Sequence, residues 1–210
     1  NGVEMYDVYT GFKWIANVMR ENEGKKNYIG GGEESYGFLC EDFVRDKDAV
    51  SACVILAEIA AWAKDQGLSL YQLLQKIYVE YGFSKEKGIS VVKKGKSGAE
   101  EIEAMMKKFR ENPLTEIAGS KVTYFYDYST LKGKDYAENE TVTLDMPTTS
   151  NVLQYFTEDN TKVSIRPSGT EPKIKFYCEV HSKVKSIDEL PEAEKAAEEK
   201  INQIKASLGI

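Results

Sequence analysis

Residues 152–180 read VLQYFTEDNTKVSIRPSGTEPKIKFYCEV, and this stretch decides the second half of the fold. Val152 to Phe156 and Lys162 to Arg166 are short runs rich in β-branched and aromatic residues around Glu158-Asp159-Asn160, the pattern of a hairpin. Ile174, Phe176, Cys178 and Val180 then alternate with polar residues, as a half-buried strand requires. Working outward, Pro191 fits the first turn of a closing helix with Ala197, Ile201, Ile204 and Leu208 inward. Upstream, Lys121 to Tyr128 reads as a strand, and so does the stretch holding Ile89, Val91 and Val92. Ser97 and Glu100 form a capping box before a helix that carries Ile102, Met105, Met106 and Phe109. Residues 129–150 are polar and predict a long surface loop. The set is an α+β domain with an antiparallel sheet and flanking helices.

The pattern changes at Tyr81-Gly82, which predicts a boundary between domains at 1–81 and 82–210. The first half alternates strands and helices, an α/β layer packing. Gly2 to Tyr9 reads as a strand, and Thr10 as the cap of a helix with Phe12, Ile15, Ala16 and Met19 on one face. Tyr28 and Ile29 suggest a short strand, and Gly30-Gly31-Gly32 a sharp turn after it. Asp48 caps a helix over Ala49 to Lys64, whose Ala-rich surface predicts close packing on both sides. Ser69 caps the next, striped by Leu70, Leu73, Leu74, Ile77 and Tyr81. A strand-like stretch almost at residue one predicts further protein upstream.

Composition narrows the function. Of 210 residues, 41% are apolar and 30% charged, the balance of a globular protein rather than a disordered one. The net charge of -6 disfavours nucleic acid as a partner. The longest apolar stretch, Ala52 to Ala63, is broken by Glu58 and too short for a bilayer. Cys40, Cys53 and Cys178 lack metal-ligand spacing and read as free thiols, which with the lack of a leader pattern predicts a cytoplasmic protein. No metal site is expected in this chain. His181, the one histidine, reads as structural.

Four loops carry chemistry. Gly32-Glu33-Glu34-Ser35-Tyr36-Gly37 sets two carboxylates and a hydroxyl between glycines. A carboxylate accepts hydrogen bonds from adjacent hydroxyls and a Ser hydroxyl both donates and accepts, which suits the edge of a polyol. An acidic surface turn has the same composition. Arg166-Pro167-Ser168-Gly169-Thr170-Glu171-Pro172-Lys173 offers a guanidinium, hydroxyls, an ammonium and a run of N–H groups, an anion-binding concavity stiffened by two prolines. A proline-stiffened hairpin tip is the alternative, and the phosphate reading is favoured over it. Thr10-Gly11-Phe12-Lys13 places a helix N-terminus beside a lysine, a weak anion site. Arg45-Asp46-Lys47-Asp48 precedes a helix and, on its own, reads better as a solvated charge run with an N-cap.

In this order the four elements resemble the α-D-phosphohexomutase family of phosphoglucomutases and phosphomannomutases. The resemblance implies that the first half is the C-terminal part of a three-layer third domain, and the second half a fourth domain. It implies Glu33 and Ser35 on sugar hydroxyls, with Thr10, Gly11, Lys13 and Arg45 near the substrate. It implies Arg166, Ser168, Gly169, Thr170 and Lys173 around the phosphate that is not transferred. Lys47 matches a candidate general acid/base, and as a base it requires a lowered pKa, with Arg45 the neighbour expected to lower it.

The implied reaction interconverts hexose 1-phosphate and hexose 6-phosphate through a phosphoserine and a hexose 1,6-bisphosphate, with Mg²⁺ held elsewhere in the full-length protein. The serine loop and the Asp-rich metal loop are not found here, so this chain alone is expected to be inactive. Its partners are then a sugar phosphate and the N-terminal domains of the same protein. A phosphopentomutase-like or bisphosphate-synthesising relative, a non-catalytic sugar-phosphate-binding module and an interaction protein with incidental acidic loops remain alternatives.

Overall fold

The computed structural model describes residues 2–93, 95–169 and 171–210, with Lys96 described through its backbone alone. The chain divides into two compact units, one up to Leu74 and one from Gln75 to Ile210.

The first unit holds helix α1 (Phe12–Asn22), the two-residue strands β1 (Gly31–Gly32) and β2 (Phe38–Leu39), helix α2 (Ala49–Asp65) and the start of helix α3 (Leu70–Tyr81). Its buried core is small: Phe12 and Met19 from α1 meet Leu39 from β2, with Ile15 and Tyr28 against them. Strands β1 and β2 pair antiparallel, Gly31 opposite Leu39 and Gly32 opposite Phe38. Gly31 and Gly32 are therefore strand rather than turn, Tyr28 and Ile29 lie outside any strand, and the turn follows at residues 33–37. Glycine at 31 serves close approach: a Cβ there would come within 2.8 Å of both the Ile15 Cγ2 and the Tyr28 hydroxyl. That approach brings α1 onto the hairpin.

Two further expectations fail in this unit. Residues 2–9 form no strand, because a strand needs a neighbour to share its ladder and none pairs with them among the described residues. Helix α2 is capped as predicted, the Asp48 side chain accepting from the Val50 N–H at 3.0 Å. Yet only Ala63 of it is buried. Val50, Val54, Leu56, Ile59 and Trp62 stand exposed, so this chain does not supply the two-sided packing its composition predicts.

The second unit is built on an antiparallel sheet in the order β3-β10-β9-β8-β5-β6-β7, with β4 (Glu116–Ile117) attached to β5. The strands are β3 (Phe83–Val92), β5 (Ser120–Asp127), β6 (Lys132–Asp135), β7 (Glu140–Thr143), β8 (Leu153–Thr157), β9 (Lys162–Pro167) and β10 (Lys173–Ser182). Helices α4 (Gly95–Glu111) and α5 (Leu190–Leu208) bury Ile102, Met106 and Phe109, and Ala197, Ile201, Ile204 and Leu208, in one core with the inward residues of the strands. Tyr155 is fully buried and its hydroxyl donates to the Phe109 carbonyl at 3.0 Å, tying the end of α4 to the sheet.

Here too the sequence misleads at two points. Residues 129–150 contain the β6–β7 hairpin rather than a continuous loop. The α4 helix begins at Gly95, which places Ser97 inside it instead of at a capping box.

Candidate functional site

In the first unit the side chain of Glu33 meets the N-terminus of α1. Gly11, not Thr10, occupies the cap position, with φ 119°, and no side chain of its own stretch caps the helix. The cap comes from the hairpin: Glu33 Oε1 accepts from the Gly11 N–H at 2.9 Å. An anion beside orphan N–H groups at the positive end of a helix dipole is stabilised there. The same carboxylate lies along Gly37, where a Cβ would meet Glu33 Oε2 at 2.7 Å. Glu33 is thus fixed in direction while keeping lone pairs for further donors. Ser35 is exposed in the same turn, which is closed by Glu33 N–H to Gly37 O at 2.8 Å and Gly37 N–H to Ser35 O at 2.7 Å.

Lys47 joins this group. Its ammonium bonds Asp46 at 2.9 Å and sits 5.7 Å from the centre of the Phe12 ring. The Asp46 hydrogen bond, then its charge, holds the Lys47 pKa above the ordinary lysine value, and the Glu33 charge adds to this against a small desolvation effect. The direction is opposite to the one a resting general base needs. Arg45, expected to depress that pKa, is paired instead with Glu23 at 3.0 Å. Lys13 points elsewhere, its ammonium 4.9 Å from the Trp14 ring centre, and Thr10 is exposed.

In the second unit, Arg166 and Pro167 end β9 and Lys173 opens β10, so the intervening loop is clamped between paired strands. Ser168 N–H donates to Lys173 O at 2.8 Å, Lys173 N–H to Glu171 O at 2.7 Å, and Lys93 N–H to Pro172 O at 2.9 Å. The Lys173 ammonium is committed to Glu171, whose pKa it lowers. Gly169 is exposed, and Thr170 lies outside the described residues. Beside the loop, Pro167, Ser168, Glu171 and Pro172 form one wall of a cavity of about 530 Å³, opposite Met106 and Arg110 of α4.

One residue escaped the sequence reading. Lys175 is the direct cross-strand partner of Arg166, on the sheet face away from the helices. Its signal was the alternation itself: Lys173, Lys175 and Tyr177 share a face. Two cations directly opposite one another repel, and an anion between them relieves that repulsion.

Residues 1–81 match the family model described as phosphoglucomutase/phosphomannomutase, alpha/beta/alpha domain III, and residues 90–197 match the C-terminal domain of the same family. The chain belongs to the phosphoglucomutase/phosphomannomutase family. A phosphoglucomutase of Staphylococcus haemolyticus is 37% identical over 179 residues, which are 85% of this chain and 32% of that protein. One from Staphylococcus aureus is 41% identical over 177 residues, 84% of this chain and 32% of that protein. The chain therefore spans about a third of the length of these phosphoglucomutase relatives. Among solved structures, the open form of the Paramecium phosphoglucomutase pp63/parafusin aligns with 89% of this chain and 30% of its own. The TM-score is 0.55 at 18% identity, a likeness of fold. An α/β region followed by an antiparallel sheet with flanking helices is the arrangement of this family's third and fourth domains.

Proposed function

We propose that this chain is the substrate-holding part of an enzyme that interconverts hexose 1-phosphate and hexose 6-phosphate, its two domains meeting near Tyr81-Gly82. The observation that carries the reading is the Glu33 carboxylate pinned against the Gly11 N–H in a Gly-Glu-Glu-Ser turn. A preset carboxylate spends little ordering entropy on gripping vicinal hydroxyls. Ser35 adds a hydroxyl beside it. Arg166, Ser168, the Gly169 backbone and Thr170 take the phosphate that stays in place, and Lys175 replaces Lys173 as the second cation. Each charge-assisted bond contributes about 1.5–3 kcal/mol.

Lys47 acts as the proton donor to the sugar oxygen. Its raised pKa keeps the proton at neutral pH, and the Asp46 partner sets where the ammonium waits. Thr10, Lys13 and Arg45 line the approach without touching the reacting atoms.

Among the described residues no group of three or more His, Cys, Asp or Glu side chains comes together to hold a metal. The phosphoryl donor and its metal belong to the N-terminal domains of the full-length enzyme, and the exposed faces of α2 are the surfaces those domains cover. No helix of the described residues is long and apolar enough to cross a membrane. A cytoplasmic site of action completes the proposal and agrees with three unpaired cysteines.

The test is a chemical-shift titration of the chain with glucose 1-phosphate and with inorganic phosphate. Glucose 1-phosphate is expected to move amides at residues 33–37 and 166–175, and phosphate only the latter. Glu33→Gln removes the first set of shifts, and Arg166→Ala the second. No shift in either set at millimolar ligand overturns the proposal.

A further inference from the structure

The tip of the turn that holds Glu33 carries two costs with no structural return. Tyr36 sits in the left-handed region at φ 57°. Bulky side chains are rare there because the Cβ crowds the neighbouring carbonyl. Its side chain is also fully exposed, at 107% of the reference area. Among the described residues it makes no hydrogen bond, ion pair or ring contact. A glycine would relieve the strain, and any polar residue would suit the exposure better. Strain of this kind marks a side chain held out for use.

The position defines the use. The hydrogen bonds that close the turn run from Glu33 N–H to Gly37 O and from Gly37 N–H to Ser35 O. They bracket Tyr36 within the turn. The two polar groups assigned to the sugar, Glu33 and Ser35, belong to the same turn. A pyranose gripped at its hydroxyl edge by a carboxylate still exposes an apolar face of C–H groups. A tyrosine ring is a large, rigid, amphipathic surface that covers such a face at low entropy cost.

On the reading of the site given above, we infer that Tyr36 is a sugar-contacting residue: its ring packs on the apolar face of the hexose whose hydroxyls Glu33 and Ser35 hold. The ligand class is a pyranose, free or phosphorylated. The phosphate loop plays no part in this contact.

The experiment measures binding of glucose 1-phosphate and of inorganic phosphate to the chain and to Tyr36→Ala, Tyr36→Phe and Tyr36→Gly. Loss of the ring weakens glucose 1-phosphate by about tenfold and leaves phosphate unchanged. Tyr36→Phe binds within about twofold of the parent, since the face of the ring is kept. Tyr36→Gly binds as poorly as Tyr36→Ala but melts at a higher temperature than the parent, because glycine adopts the left-handed backbone without strain. A purely structural tyrosine gives the opposite, a lower melting temperature for the glycine variant, and that result overturns the inference. Parent-like sugar binding by Tyr36→Ala overturns it while sparing the site reading. Absence of glucose 1-phosphate binding by the parent chain overturns both. Saturation transfer from the Tyr36 ring protons to the pyranose C–H protons is the expected direct signature.

Discussion

Replacing Gly31 by alanine tests the contact that seats the turn at residues 33–37 on helix α1. The new Cβ would lie 2.8 Å from both the Ile15 Cγ2 and the Tyr28 hydroxyl. Both neighbours must give way. Overpacking of this kind costs about 1–3 kcal/mol. Moving the tyrosine also breaks its hydrogen bond to the Leu39 carbonyl, now 2.9 Å, which costs about 1 kcal/mol more. Gly31 is not among the positive-φ glycines, so alanine adds no backbone strain. It gains about 0.4–1 kcal/mol by restricting the unfolded chain. The net is a loss of about 2 kcal/mol, confined to the first unit.

Amide hydrogen exchange reads this out locally. Amides of α1 and β2 should exchange about thirtyfold faster, and those of β8, β9 and β10 at unchanged rates. In a Tyr28→Phe background one of the two clashes and the hydrogen bond are already gone, so Gly31→Ala should cost about 1 kcal/mol less there. Unchanged or slower exchange in α1 of the single variant would show that this close approach does not hold the turn in place.

Tyr155→Phe removes the bond to the buried Phe109 carbonyl and should lower stability in urea by about 1 kcal/mol, with the phosphate titration unaffected. At Asp159 burial pushes the pKa up, but hydrogen bonds from Lys200, Thr157 and Thr161 outweigh it and hold the carboxyl below the usual range. Its stabilisation is present above the unfolded-state pKa of about 3.9 and is lost as pH falls through the folded value. Lys200→Met should therefore be less stable than the parent at pH 7, by an amount that shrinks progressively below about pH 4, as denaturant titrations at each pH will show. Burial pushes the Cys178 thiol up to about 11, whereas Cys53 is exposed. A thiol reagent at pH 8 should label Cys53 first and Cys178 only on unfolding; simultaneous labelling contradicts the burial.

Local pattern made some elements legible and not others. β8, β9 and β10 were readable because alternation is a property of each strand by itself, and α5 because Pro191 and a 3.6-residue stripe mark it. The β6–β7 hairpin has almost no apolar alternation. It is fixed by a neighbour: Gly133 lies so close to the Tyr126 ring that a Cβ would meet its Cδ1 at 2.4 Å. Residues 2–9 show the converse, strand-forming residues that pair with no strand among the described residues. At the site, residue types announced the two loops, but the Glu33 bond to Gly11 spans 22 positions and has no local signature. For Lys47 the controlling neighbour was adjacent in sequence, and it was Asp46 rather than Arg45 that reached it.

Strand β10 is paired along its whole length with β3 and along six residues with β9. Side chains alternate along it, so inserting one residue directly after Lys173 would send Phe176 and Cys178 to solvent and the Lys175 ammonium into the core. The turn at residues 158–160, which joins the far ends of β8 and β9, carries no such constraint. Length variation among natural homologues should collect there and spare the segment from Lys173 onward.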